Sequence, residues 1–259
     1  GISFNQPIGN WNVSNVSSMA SMFFGSFNFN QPIDTWNTAS VANMSNMFCF
    51  AYAFNQPIGS WNTSSVQNMI QMFRGAFSFN QPINSWNTSN VIRMDSMFSL
   101  DSIFNQPVNS WNTSNVTHMG GMFDGAKSFN HPLDSWNTSS VESMPALFRG
   151  ATSFNQALAN WNTSNVKDMT YMFYNASSFN QYIGNWITSV VEDMSNMFHN
   201  ASSFNQTIGS WQLHPYVYLN GMLDSCGMDC INYSATLNGW AGNISTPINI
   251  QLGVANLEY

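Results

Sequence analysis

The phrase Phe-Asn-Gln starts at Phe4, Phe29, Phe54, Phe79, Phe104, Phe154, Phe179 and Phe204, with Phe-Asn-His at Phe129, so one unit recurs every 25 residues without insertion. A fixed period between 20 and 50 residues marks a solenoid or array and outranks any local helix or strand reading. Zero drift over nine units places each residue of a coil above its counterpart in the next. Eight full repeats run 4–203 and a degenerate ninth 204–228, giving a repeat region 1–228 followed by a capping segment 229–259.

The apolar columns are Phe (Phe4 to Phe204), Ile (Ile8, Ile33, Ile58), Trp (Trp11 to Trp211), Val (Val16 to Val191), Met (Met19 to Met194), Met again (Met22 to Met222, Leu147 substituting) and Phe (Phe48 to Phe198), closed by a small residue such as Ala51 or Ala76. About eight of 25 positions face inward, too few for one coil to offset roughly 1–2 kcal/mol of backbone entropy per residue. Neighbouring coils must therefore supply the rest, and nine coils at the ~4.8 Å strand spacing make a rod of roughly 45 Å.

Each coil divides in two. The stretch Ile-Gly-Asn-Trp-Asn-Thr-Ser predicts a short strand. The following V-x-x-M-x-x-M-F, as in Val166, Met169, Met172 and Phe173, predicts a short helical turn, with Ser or Asn before Val as its cap. Gly25, Gly75, Gly125, Gly150, Asn175 and Asn200 stand where a left-handed residue would end that turn. The proline column from Pro7 to Pro132 cannot donate to a ladder and predicts a corner. The expected fold class is a leucine-rich-repeat-like solenoid of about nine coils, a short parallel strand plus a helical turn in each, with a C-terminal cap.

These residues resemble a known family. The pattern FNQPI-x-x-W-N-T-S-N-V-x-x-M-x-x-MF-x-x-A is similar to the repeat of BspA-like bacterial surface proteins over Phe4 to about Cys226, and CINYSATLNGWAGN (Cys230 to Asn243) is similar to the segment closing such arrays. The resemblance implies an extracellular, cell-surface or secreted bacterial protein that mediates adhesion or partner binding without catalysis. The chain departs from it in carrying Asn12, Asn37 and Asn62 where relatives often have Asp.

Charge narrows the partners. With 5 basic and 12 acidic residues and a net charge of -7, the chain lacks the clustered cations that nucleic acid requires. No apolar run reaches the ~20 residues of a bilayer span. The partner that the resemblance implies is a protein or a polysaccharide at a cell surface. Sequons such as Asn12, Asn62, Asn87 and Asn112 follow from the repeated unit itself.

The amide column Asn5, Asn30, Asn55, Asn80, Asn105, Asn130, Asn155, Asn180 and Asn205 is expected to form a structural ladder between coils. The Trp column reads as core, its indole N–H reaching a carbonyl. Thr38, Thr63, Thr88, Thr113, Thr138, Thr163 and Thr188, flanked by Ser64, Ser89, Ser114 and Ser139, form the candidate binding face. On an exposed strand they would be a flat array of hydroxyls suited to a polysaccharide or an ice lattice.

No catalytic, cofactor or metal set emerges: His118, His131, His199 and His214 fall at different repeat positions, and Asp34 and Asp134 share a column four coils apart. Cys226 and Cys230 are close enough in sequence for a small disulfide loop, while Cys49 has no evident partner. The freely varying residues between the Val and Met anchors predict the outer face. Gly1 to Ser3 match the last three positions of a preceding repeat, so the alternatives for covering the first coil are further repeats upstream or another molecule, self-association through that coil included. The strand-like stretch Ile248 to Leu252 is expected to complete the cap. The function expected is non-catalytic adhesion or partner binding. End-to-end fibre formation and carbohydrate or ice binding are the alternatives.

Overall fold

The computed structural model describes residues 3–243 and Leu252. The chain winds into a repeat solenoid of stacked coils, numbered here 1 (4–28) to 9 (204–228). Parallel bridges join Ser18 to Asn43, Asn43 to Asn68 and so on to Asp193 and Tyr218, one residue per coil and 25 residues apart. The repeat register is thus a contact between equivalent residues. The stretch Ile248 to Leu252 falls outside the described residues except for Leu252, which packs against the core.

The two elements expected in each coil are replaced by turns. Among the described residues no strand forms over the Ile-Gly-Asn-Trp stretch, which makes two reversals: Trp36 N donates to Ile33 O and Val41 N to Thr38 O. Coil pairing lies instead on the Val-to-Phe segment, where a helix was expected. There the amides of Met44, Asn46, Phe48 and Phe50 donate to Asn68, Ile70, Met72 and Arg74 of the next coil, while those of Met47, Cys49 and Ala51 donate back three residues within their own. Ser45 N, the remaining amide of 44–51, finds Asn43 Oδ1 at 2.9 Å. Every N–H in the segment is therefore satisfied.

Alternation of this kind requires the backbone to reverse hand. Asn46 (φ 57°) and Phe50 (φ 58°) are left-handed, and so are their equivalents in every coil, for example Ser96 and Leu100 or Gly121 and Gly125. A type II turn needs positive φ at its third residue, and two such turns direct every second amide along the rod. The left-handed site expected at Gly25 and its column is present; a second one, at the column of Asn46, is additional.

The core is a spine of stacked rings. Each ring of the Phe48 column lies 3.8–4.0 Å from the Phe-Asn-Gln phenylalanine that follows, as in Phe48 on Phe54. Trp36 stacks on Trp61 at 6.3 Å. What one neighbour covers is visible at coil 1, where Trp11 is 52 % exposed against 4 % for Trp36. Fully burying a large apolar side chain stabilises by roughly 1.5–3 kcal/mol, so stacking is where a coil gains its stability.

Helix α1 (Cys230–Ala241) lies across coil 9 and buries Tyr233, Thr236 and Trp240. Asp229 caps it, accepting from Asn232 N, and this bond together with Asn205 holds the exposed Asp229 carboxyl below its ordinary range. Close approach depends on glycine: a Cβ on Gly209 would stand 2.6 Å from Ala235 O. No helix among the described residues is long and apolar enough to cross a membrane.

Candidate functional site

The threonines expected on an open face are interior. Thr38, Thr63, Thr88, Thr113, Thr138, Thr163 and Thr188 are at most 1 % exposed. Each hydroxyl donates to a carbonyl one coil on, as Thr113 Oγ1 does to Asn137 O at 3.0 Å and Thr138 Oγ1 to Asn162 O at 2.9 Å. No hydroxyl array faces solvent there. The sequence held the correcting signal: Val13 and Leu213 occupy the same column in coils 1 and 9, and both are buried.

Ser64, Ser89, Ser114 and Ser139 are half-buried, with amides bound to the Asn two residues before, as Ser89 N is to Asn87 Oδ1. Their carbonyls are also occupied, accepting Asn90, Asn115, Ser140 and Asn165 side chains of the next coil. The residues expected as helix caps thus tie neighbouring coils together.

The asparagine ladder has the geometry expected of it. Asn30 Oδ1 accepts Asn55 N and Gln56 Nε2 of the following coil, both at 2.9 Å, and the amide-to-amide contact repeats from Asn5 to Asn205. Trp61 Nε1 donates to Ile33 O at 3.0 Å, and the same bond links each later Trp to the coil before. Side chains that could have been reagents are committed to the stack.

The ionisable residues serve local roles. His131 stands in a Gln column and reaches Asn105 O, His118 contacts Thr117, and His199 stacks on Tyr174 at 4.8 Å. Arg149 makes a bidentate pair with Asp124 at 2.7–2.8 Å. Asp34 and Asp134 are exposed in separate coils. Among the described residues no three His, Cys, Asp or Glu groups gather as metal ligands.

Cys226 and Cys230 do not form the disulfide loop considered from their spacing. Cys226 turns inward where other coils place Ala, and burial pushes its thiol up, whereas Cys230 is exposed at the start of α1. Asp101 also occupies that small inward column. It is fully buried, and desolvation raises its pKa to about 8, the nearby Ile103 and Phe104 amides pulling the other way without offsetting it.

What solvent meets is a set of side columns that differ from coil to coil. Gln67, Ile92, Glu142, Lys167 and Glu192 are exposed beside the bridge residues. At the corner before Phe-Asn-Gln, Phe27, Tyr52 and Phe77 stack in coils 1–3, while Lys127, Thr152, Ser177 and Ser202 fill the same column in coils 5–8. The aromatic strip went unread because its column is aromatic in three coils only.

Fold and surface together define a turn-built solenoid: an invariant, internally bonded stack that carries variable outer columns. The chain belongs to the family described as Mycoplasma protein of unknown function, DUF285, which matches residues 1–76, 54–145 and 131–240. No curated protein matches it.

Proposed function

We propose that the chain is a non-catalytic, cell-surface or secreted binding solenoid, part of a longer surface protein and close in kind to the BspA-like leucine-rich-repeat class. The observation that supports this is the division of labour between columns. Inward and ladder positions hold the same residue type in coil after coil, while the exposed columns of Gln67 and Tyr52 change character along the rod. A rigid stack with variable outer positions is how repeat proteins build extended binding surfaces.

The hydroxyl-array version of carbohydrate or ice binding loses its basis with the Thr column buried. Fibre growth by coil-on-coil stacking would have to displace α1, whose Trp240 already holds Ile208 O. Partner binding is therefore the reading retained.

An antibody raised to the chain should label intact, unpermeabilised cells, and beads coated with the chain should adhere to host cells or to immobilised matrix proteins. Labelling only after permeabilisation would overturn the surface assignment. Beads that bind no better than albumin-coated ones would overturn adhesion.

A further inference from the structure

We propose that the aromatic corner of coils 2–4 docks a peptide segment of a partner protein, one presenting apolar side chains together with a carboxylate. The proposal deepens the binding reading above and rests on it.

Three observations meet at this corner. Tyr52, Phe77, Leu100 and Ile103 are 36–45 % exposed, although the corresponding columns in later coils carry small or charged residues. Phe50 (φ 58°) and Leu100 (φ 66°) occupy the left-handed site that Gly75, Gly125 and Gly150 fill elsewhere. Side chains with a Cβ strain that conformation, and Leu100 does not recover the strain by burial. Finally, the Arg74 guanidinium sits 5.6 Å over the Phe50 ring, and its shielded Nε has no hydrogen-bond partner.

No carboxylate lies within ion-pair distance of Arg74 among the described residues, whereas Arg149 in the same column is paired with Asp124. Arg74 is only half-buried, so its unpaired guanidinium, lying next to apolar surface, offers charge to a carboxylate brought by the ligand. The rings of Phe27, Tyr52 and Phe77 stack at 4.5 and 4.9 Å, so they turn edges rather than faces outward. A sugar needs a free face, whereas leucine- or phenylalanine-type side chains pack against edges and against Leu100 and Ile103. A net charge of -7 and a single local cation oppose an anionic membrane surface. Three or four coils at ~4.8 Å match roughly five residues of extended peptide.

The experiment is selection of a random 12-residue phage-displayed peptide library on the intact chain, followed by measurement of the enriched peptides as synthetic, fluorescent probes. Enriched peptides should combine Leu, Ile, Phe or Trp with Asp or Glu. The double variant Tyr52→Ser/Phe77→Ser, which borrows the Ser of later coils, should weaken them at least tenfold while still unfolding cooperatively above the assay temperature, and the milder Tyr52→Leu/Phe77→Leu should restore part of the binding. Arg74→Gln should weaken them severalfold and remove the preference for acid. Peptides unaffected by these variants would overturn the site while leaving adhesion through other columns intact, and so would failure to enrich any peptide. Loss of dimerisation, or of anionic vesicle binding, in the double variant without loss of peptide binding would overturn it in favour of a second copy or a lipid surface.

Discussion

The indole of Trp240 donates to the carbonyl of Ile208 at 3.0 Å, the same bond that Trp211 makes to Ile183 one coil earlier. The imitation extends further. Asp229 N reaches Asn205 Oδ1 as each Asn amide reaches the Asn before it, and Asn232 Nδ2 bonds Asn205 O and Oδ1 as Gln56 bonds Asn30. A helix thereby supplies the contacts of a coil. Trp240→Ala should lower stability by about 3–5 kcal/mol, and Trp240→Phe, which retains the ring and leaves Ile208 O with only the Trp211 amide as donor, by about 0.5–1.5 kcal/mol. In hydrogen exchange, protection should fall first in coil 9 and leave coil 3 unchanged; uniform loss would contradict a local cap.

Asp101 should make the chain less stable as pH rises. Its pKa of about 8 in the fold exceeds the ordinary 3.8, so the folded chain holds a proton that the unfolded chain releases. Stability should then fall by about 1.4 kcal/mol per pH unit between roughly pH 4 and 8 and level off above. Asp101→Ala installs the residue found at Ala76 and Ala126. Urea unfolding at pH 5, 6, 7 and 8 should show the variant more stable at pH 7 and its difference from the parent growing with pH. A constant difference would refute the assignment.

Thr113→Val should cost about 1–3 kcal/mol despite its near-identical shape, because Asn137 O loses its donor. The reverse change Val13→Thr should be close to neutral, since it gives the hydroxyl a column where every neighbour uses one. Thermal unfolding of both variants decides the matter.

Gly150→Ala should destabilise by about 1–2 kcal/mol through backbone strain alone. Its φ is 66°, and an added Cβ meets nothing nearer than 3.7 Å, so no clash contributes. Asn175→Gly, at the same site one coil on, should be nearly neutral by the same measurement.

The period, the core columns, the asparagine ladder and the indole bonds were legible because each repeats one residue type at one spacing. The turns were not. Val-x-x-Met-x-x-Met-Phe has three-residue spacing whether the backbone is helical or a chain of β-turns, and only the second hand reversal separates the two. That reversal falls on Ser21, Asn46, Gln71, Ser96, Gly121, Ala146, Tyr171, Asn196 and Gly221, a column with no consistent turn residue. The Thr face was misread from side-chain chemistry: alternation from the buried Trp already places Thr on the same side, and a hydroxyl enters a core readily when a carbonyl waits for it. Asp101 and the aromatic corner escaped because each departs from its column in only a few coils.

Because α1 meets coil 9 through contacts that any coil would offer, closure of the rod is independent of its length. Duplication or deletion of one 25-residue unit in the gene would move the far end by a step of ~4.8 Å and leave the closing contacts chemically the same. The length of the rod becomes a heritable quantity that unequal recombination can extend or shorten in whole steps, while the residues of the outer columns can change without disturbing the stack.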